Sequence, residues 1–185
     1  MAWDKKTFLK EVVILHDTRE QENVHIIQAL NSLNIQHEAR KMDFGDYSFM
    51  IGGRDFSLSC VIERKANVDE FYGNIIGDRE RIEKEFSTGS QIANQFILLL
   101  EQCGSMEELK AYTIPDWKMK TQQRKIQNIG EYCYATIKSW QSGNRYAFRT
   151  LFVPDADKTA AVMLEEFYYY WRNYKIMTAC RRNRS

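Results

Sequence analysis

The sequence predicts an α/β domain in which a mixed β-sheet carries helices on its faces. Three observations lead there. Short apolar, β-branched runs at residues 12–15 and 96–100 have the character of buried strands. They alternate with segments whose apolar residues recur every three or four positions: Val24, Ile27, Leu30 and Leu33, then Ile126, Ile129, Cys133, Ile137 and Trp140. A chain of 185 residues, 44% hydrophobic and 28% charged, suits one sizeable core and leaves no clear room for a second.

Taken in order, residues 12–15 form the first strand and 20–33 a helix. After the Ser32-Leu33-Asn34 break a second strand runs over 35–42. Residues 47–51 and 56–65 flank Gly52-Gly53, a pair that supplies the positive φ of a hairpin turn. Asn67 has the position of an N-cap with Glu70 three residues on, and a short helix runs through Phe71 and Tyr72. Gly77 punctuates before a charged helix at 79–87, and 95–101 is a buried strand. Residues 111–120, with Pro115, read as a loop. A helix over 122–140, a strand over 145–153 and a helix over 155–172 capped by Asp155 follow. We divide the chain into an N-terminal extension (1–11), a folded domain (12–175) and a basic tail (176–185), and find no internal repeat.

Composition narrows the class. No apolar run approaches the roughly 20 residues that span a bilayer, and the first residues lack a secretory pattern. Four dispersed cysteines and three dispersed histidines have no zinc-site spacing and read as reduced thiols in a cytoplasmic protein. The net charge of +1 hides an asymmetry. Residues 1–109 hold 12 Lys/Arg against 19 Asp/Glu, whereas 110–185 hold 14 against 6. An acidic half beside a basic half suits a protein that holds a polyanion next to its own carboxylates; simple solvated charge is the bland alternative.

The chemistry concentrates at Asp46, Glu63 and Lys65. On a strand, Glu63 and Lys65 share one face and Arg64 points to the other. The hairpin pairs the strand opening at Asp46 with the one ending at Lys65, so both acids reach the end remote from the turn. Two carboxylates hold Mg²⁺ or Mn²⁺ through oxygen, and a lysine beside them orients a water or offsets charge on a phosphate.

Gly45-Asp46 followed by Glu63-Arg64-Lys65-Ala66-Asn67-Val68-Asp69 resembles the signature of the XPF family of structure-selective DNA nucleases. Asp17-Thr18-Arg19-Glu20 resembles that family's opening block. Asn74-Ile75-Ile76 with Arg79 resembles its next helix, and Leu98-Leu99-Leu100-Glu101 its following strand. The resemblance implies a restriction-endonuclease-like core and metal-dependent hydrolysis of DNA, with an endonuclease acting on branched or flap-type substrates expected. It implies Asp46, Glu63 and the Arg64 backbone carbonyl as metal ligands, Lys65 at the water or scissile phosphate, and Asp17 as an acid at the site, supported by Arg19. Asp69 belongs to the signature, but it also suits a helix first turn or a pair with Arg64. Arg64 is structural or phosphate-binding, Glu20 suits either a helix start or the site, and Arg79 and Glu83 are supporting candidates. The family's usual helix-hairpin-helix module has no counterpart here, so stand-alone microbial or phage members are the nearer comparison. A catalytically silent DNA-binding scaffold and a nuclease acting on linear DNA are the competing readings. The aromatic run at 167–171 offers an interface for a homodimer or a partner subunit, a base-stacking surface, or ordinary packing.

Overall fold

The computed structural model describes residues 5–121 and 126–182. In chain order, α1 (Lys5–Glu11) leads into β1 (Val12–His16), and α2 (Val24–Ser32) into β2 (Gln36–Ala39). β3 (Tyr47–Ile51), β4 (Arg54–Asp55) and β5 (Cys60–Lys65) follow, then α3 (Val68–Gly77), α4 (Arg79–Ile92) and β6 (Gln95–Glu101). α5 (Met106–Ala111), α6 (Asp116–Thr121) and α7 (Ile129–Gln141) precede β7 (Arg149–Val153), after which comes α8 (Thr159–Arg182). Among the described residues, seven strands make one mixed sheet in the order β2-β1-β3-β5-β6-β7, with β4 paired to β3. The α/β class and the helix-flanked mixed sheet expected from the sequence are those observed.

Each sheet face buries its own apolar layer, as strand alternation requires. One layer joins Phe8 of α1, Ile26 and Leu30 of α2, and Met163, Leu164 and Phe167 of α8 to Ile14, Phe49, Ile62 and Leu99. The other joins Phe71 and Ile75 of α3, Ile82 and Phe86 of α4, and Ile137 and Trp140 of α7 to Val61, Leu98 and Leu100. β5, buried along its whole length, lies between the two layers.

Several elements depart from expectation for identifiable reasons. Residues 56–65 are not one strand, because Asp55 accepts from the Ser57 N–H at 2.7 Å and the Phe56 carbonyl accepts from Cys60 at 2.9 Å. That local turn delays β5 until Cys60. Most of 111–120 is not irregular: Pro115 opens α6, its carbonyl accepting from Lys118 at 2.9 Å. The helix expected over 122–140 begins at Ile129, and 122–125 lie outside the described residues. Asp155 caps a short 3₁₀ turn rather than α8, and α8 carries on through 176–182. The segment 5–11 is helical, with Phe8 fully buried against Phe49, Tyr168 and Trp171. Of the aromatic run, Phe167, Tyr168 and Trp171 are buried in the chain's own core, Tyr170 packs edge-on to Phe49 and Phe56, and Tyr169 is exposed. Packing therefore accounts for most of that run.

Candidate active site

Asp46 is aimed by its neighbours. Gly45 has φ of +68°, and a Cβ there would lie 2.3 Å from Val61 Cγ1. Only glycine satisfies both constraints, which is the physical reason for the Gly-Asp pair. The Asp46 N–H donates to the Ile62 carbonyl and its own carbonyl accepts from Asp17, each at 2.8 Å. The residue is thus pinned between the ends of β1 and β5. Its Oδ2 accepts the Arg64 backbone N–H at 2.7 Å.

Glu63 and Lys65 face the α3–α4 side of the sheet together, as strand alternation predicts. Lys65 Nζ donates to Glu63 Oε1 at 2.5 Å and lies 3.8 Å from Glu70. Glu63 Oε2 is buried and, while the neighbouring Glu85 is ionised, has no hydrogen-bond donor. Burial works against the charge on Lys65, but Glu63, Asp46 and Glu70 outweigh it and raise its pKa. Asp46 is pushed well above the usual carboxylate value, chiefly by burial and then by Glu63. Glu85 of α4 joins them: burial and then Glu63 push it up to about 7, and its Oε1 accepts the Gly45 N–H at 3.2 Å. Four acids, Asp46, Glu63, Glu70 and Glu85, therefore surround one lysine.

Arg64 points to the opposite face. Its guanidinium donates to Glu20 at 2.9 Å and to Glu101 at 2.7 Å, and Glu101 also accepts from Thr159 at 2.6 Å and lies 2.9 Å from His25. This buried cluster ties β5 and β6 to α2 and to the start of α8. The structure thus gives the Arg64 side chain a structural position, with 3% of it exposed.

The remaining sequence candidates divide. Asp17 has a saturated carboxylate: Oδ1 accepts the Arg19 N–H and Nε at 2.7 Å each, and Oδ2 accepts Arg19 at 2.9 Å and the Met42 N–H at 2.7 Å. It braces the strap that leads to Gly45, and touches Asp46 through its backbone alone. Asp69 accepts from Tyr112 at 2.6 Å and lies 3.5 Å from Lys118; the anticipated pair with Arg64 does not form, because Glu20 and Glu101 occupy that guanidinium. Arg79 and Glu83 pair with each other at 2.8 Å, and Glu83 also holds Arg145 at 2.7 Å, on the flank of α4 turned from the acids. The flank that meets them carries Glu85, with Arg81 3.5 Å from it. The buried stripe of Ile82 and Phe86 gives both flanks equal claim, so helical spacing alone did not single out Glu85.

The residues fit a divalent cation of the Mg²⁺ type, which takes one or two protein carboxylates and fills its remaining positions with water or substrate oxygens. Glu63 Oε2, buried and without a donor, is an oxygen with an open site, and burial, then the charge of Glu63, holds Asp46 and Glu85 at raised pKa. Among the described residues no group of three or more His, Cys, Asp or Glu side chains is arranged to enclose an ion.

The profile of the ERCC4 domain matches residues 16–175. Two solved structures of XPF from Aeropyrum pernix share the fold, each at a TM-score of 0.59. The first is 19% identical and matches 85% of this chain and 61% of its own. The second, a complex with DNA, is 20% identical and matches 87% and 65%. The chain thus spans a little under two thirds of those proteins. No curated protein matches it.

Proposed function

The chain belongs to the ERCC4 domain family, that of the XPF nuclease domain, and we propose that it is a divalent-metal-dependent DNA nuclease. Members of the family are generally metal-dependent, and one structural neighbour is solved with DNA. The observation that carries the reading is the buried Glu63 oxygen, without a donor, beside Asp46 and a charged Lys65. A buried carboxylate oxygen left without a partner is costly unless a cation or donor completes it.

Asp46 and Glu63 would hold Mg²⁺ or Mn²⁺, with the Arg64 carbonyl as a third donor. Such an ion, when bound, would lower the pKa of a water and polarise the phosphate. Lys65, kept protonated by three carboxylates, donates to the attacking water or to the phosphate oxygen that gains charge. Glu63 and Glu70 hold its ammonium in place, and Glu85 fixes the Gly45 turn that aims Asp46. We assign catalysis to Asp46, Glu63 and Lys65, with Asp17, Arg19, Glu20 and the Arg64 side chain as the frame.

We propose residues 12–175 as the nuclease domain, an endonucleolytic action on branched or flap-type DNA, and a cytoplasmic setting for its free thiols. Among the described residues no helix is long and apolar enough to cross a membrane. Pairing with a second copy or a partner subunit would use what α8 leaves exposed, Tyr169 among it.

The test is cleavage of labelled linear duplex, single-strand, flap and fork DNA with Mg²⁺, Mn²⁺ or EDTA. Metal-dependent cutting that Asp46→Ala abolishes, with its melting temperature retained, is the expected result. Undiminished cutting by Asp46→Ala would overturn the mechanism. DNA binding without cutting under any ion would favour the silent scaffold.

A further inference from the structure

A cavity of about 160 Å³ opens beside the acids, between the strap that leads to Gly45 and one flank of α4. Arg19, Asp43 and Phe44 line one side of it, and Arg81, Lys84 and Glu85 the other. The helix supplies its share through its spacing. Positions 81, 84, 85 and 88 recur every three or four residues, next to the buried stripe of Ile82, Phe86 and Gly89. Glu85 belongs to the active site as well, and two of the cations stand within reach of its charge. Arg19 interacts with Glu85 and Asp46, and Arg81 with Glu85 and Glu63. Both arginines are also held. Arg19 gives Nε and Nη2 to Asp17 at 2.7 and 2.9 Å, with 65% of its side chain exposed. Arg81 donates through Nε to Asp78, and its Nη1 lies 3.5 Å from Glu85. Lys84 differs from them: it is exposed and forms no hydrogen bond or ion pair with a described residue.

With Asp43 and Glu85 opposite the cations, the cavity carries no large excess of either sign. It grips through aimed donors rather than through a broad field. Guanidinium groups braced by carboxylates keep their remaining N–H groups in a fixed fork, and a free ammonium on a flexible stem adjusts to whatever oxygen arrives. That combination suits a tetrahedral oxyanion, and the cavity has room for one with a few waters. The shared wall at Glu85 puts the cavity on the path of any strand that reaches Asp46 and Glu63, which favours a phosphodiester over the carboxylates of an acidic peptide. We infer that this cavity seats a backbone phosphate of the DNA strand next to the one to be cut. Lys84 donates to its oxygens, and Arg19 and Arg81 form the oriented walls. The inference rests on the nuclease reading and deepens it. Phosphate contacts fix the register of a strand without reading its sequence, so this seat selects which phosphodiester lies over the acids.

The test compares wild type, Lys84→Ala, Lys84→Arg and Lys10→Ala, with Ca²⁺ replacing Mg²⁺ to suppress cleavage. Lys10 is an exposed lysine of α1, at the end of β1 remote from Asp17, and controls for the loss of any one positive charge. Each protein is titrated by anisotropy with two labelled duplexes of unrelated sequence over a series of salt concentrations. Lys84→Ala is expected to bind both duplexes about fivefold more weakly. The slope of its log affinity against log salt is expected to be shallower by about 0.9. Lys84→Arg restores both quantities, and Lys10→Ala matches wild type. Melting temperatures are expected to agree, because Lys84 has no partner to lose. Wild-type affinity and slope in Lys84→Ala, or an equal loss in Lys10→Ala, would overturn the inference while leaving the nuclease reading intact. A wild type that shows the Lys84-dependent slope yet cuts under no divalent ion would keep the phosphate seat and remove the nuclease reading. A wild type that binds neither duplex would overturn both.

Discussion

Glu63 is where the molecule departs furthest from what a folded interior ordinarily permits. One of its oxygens is bonded to Lys65 and the other is buried without a donor while Glu85 is ionised. A ligand that binds the folded form alone raises its stability. Millimolar Mg²⁺ is therefore expected to raise the melting temperature relative to EDTA, and Glu63→Gln to abolish that rise. No metal-dependent shift in wild type would remove the ion from Glu63. Gly45 makes a second case. Alanine there meets an unfavourable φ and a Cβ 2.3 Å from Val61 Cγ1, a strain of about 1–3 kcal/mol. Gly45→Ala should melt lower and cut poorly, because relief of the strain swings Asp46. The Gly-Asp pair and the Glu-x-Lys pair were readable from sequence because turn conformation and strand alternation are local properties. Glu85 was not, because the flank of a helix that meets a sheet is set by the neighbour.

At the scale of elements, β5 is shared between two unlike environments. Its α3–α4 face presents Glu63 and Lys65; its other face sends Arg64 into Glu20 and Glu101. Removing one member of a buried ion cluster strands the others, at a cost of about 3–5 kcal/mol. Glu101→Leu is expected to destabilise the protein by that order in denaturant melts, whereas Arg79→Ala on the outer flank of α4 should change it by less than about 1 kcal/mol. Asp17, at the end of β1, gives a pH dependence with a definite sign. Burial pushes its carboxyl up, but hydrogen bonds from Arg19 and Met42 outweigh that and hold it below the usual 3.8. Its contribution is thus present above pH 3.8 and is lost as the pH falls through its folded value. Asp17→Asn should melt below wild type at pH 6, with the difference shrinking below pH 3.8; a constant difference would refute it. Among the elements themselves, β1, β3, β6 and α3 were legible through apolar runs and the Asn67 cap. α5 carried a readable signal that spacing of apolar residues does not reveal: Ser105 caps Glu108, and Glu108 accepts the Gly104 N–H. α1 was obscured because Phe8 is its sole fully buried residue.

Across the whole molecule, the sheet separates two apolar layers, and the acids lie on the α3–α4 side of β5 near its carboxyl end. The charge asymmetry seen in the sequence acquires a location there: Asp46, Glu63 and Glu85 come from the acidic half, and α6 with its lysines from the basic half. Polyanion binding by such an arrangement releases counterions, so DNA affinity should fall steeply with salt. The buried polar cluster has one further consequence. Like charges crowded away from water do nothing for the durability of the empty protein, and apolar replacements of buried ionic groups are often neutral or stabilising. A chain of this architecture relieved of selection for DNA cleavage would therefore drift toward apolar residues at 46, 63 and 65 and become hardier as it fell silent. On the proposed reading, the three polar residues at these positions are kept for cleavage at a cost in robustness.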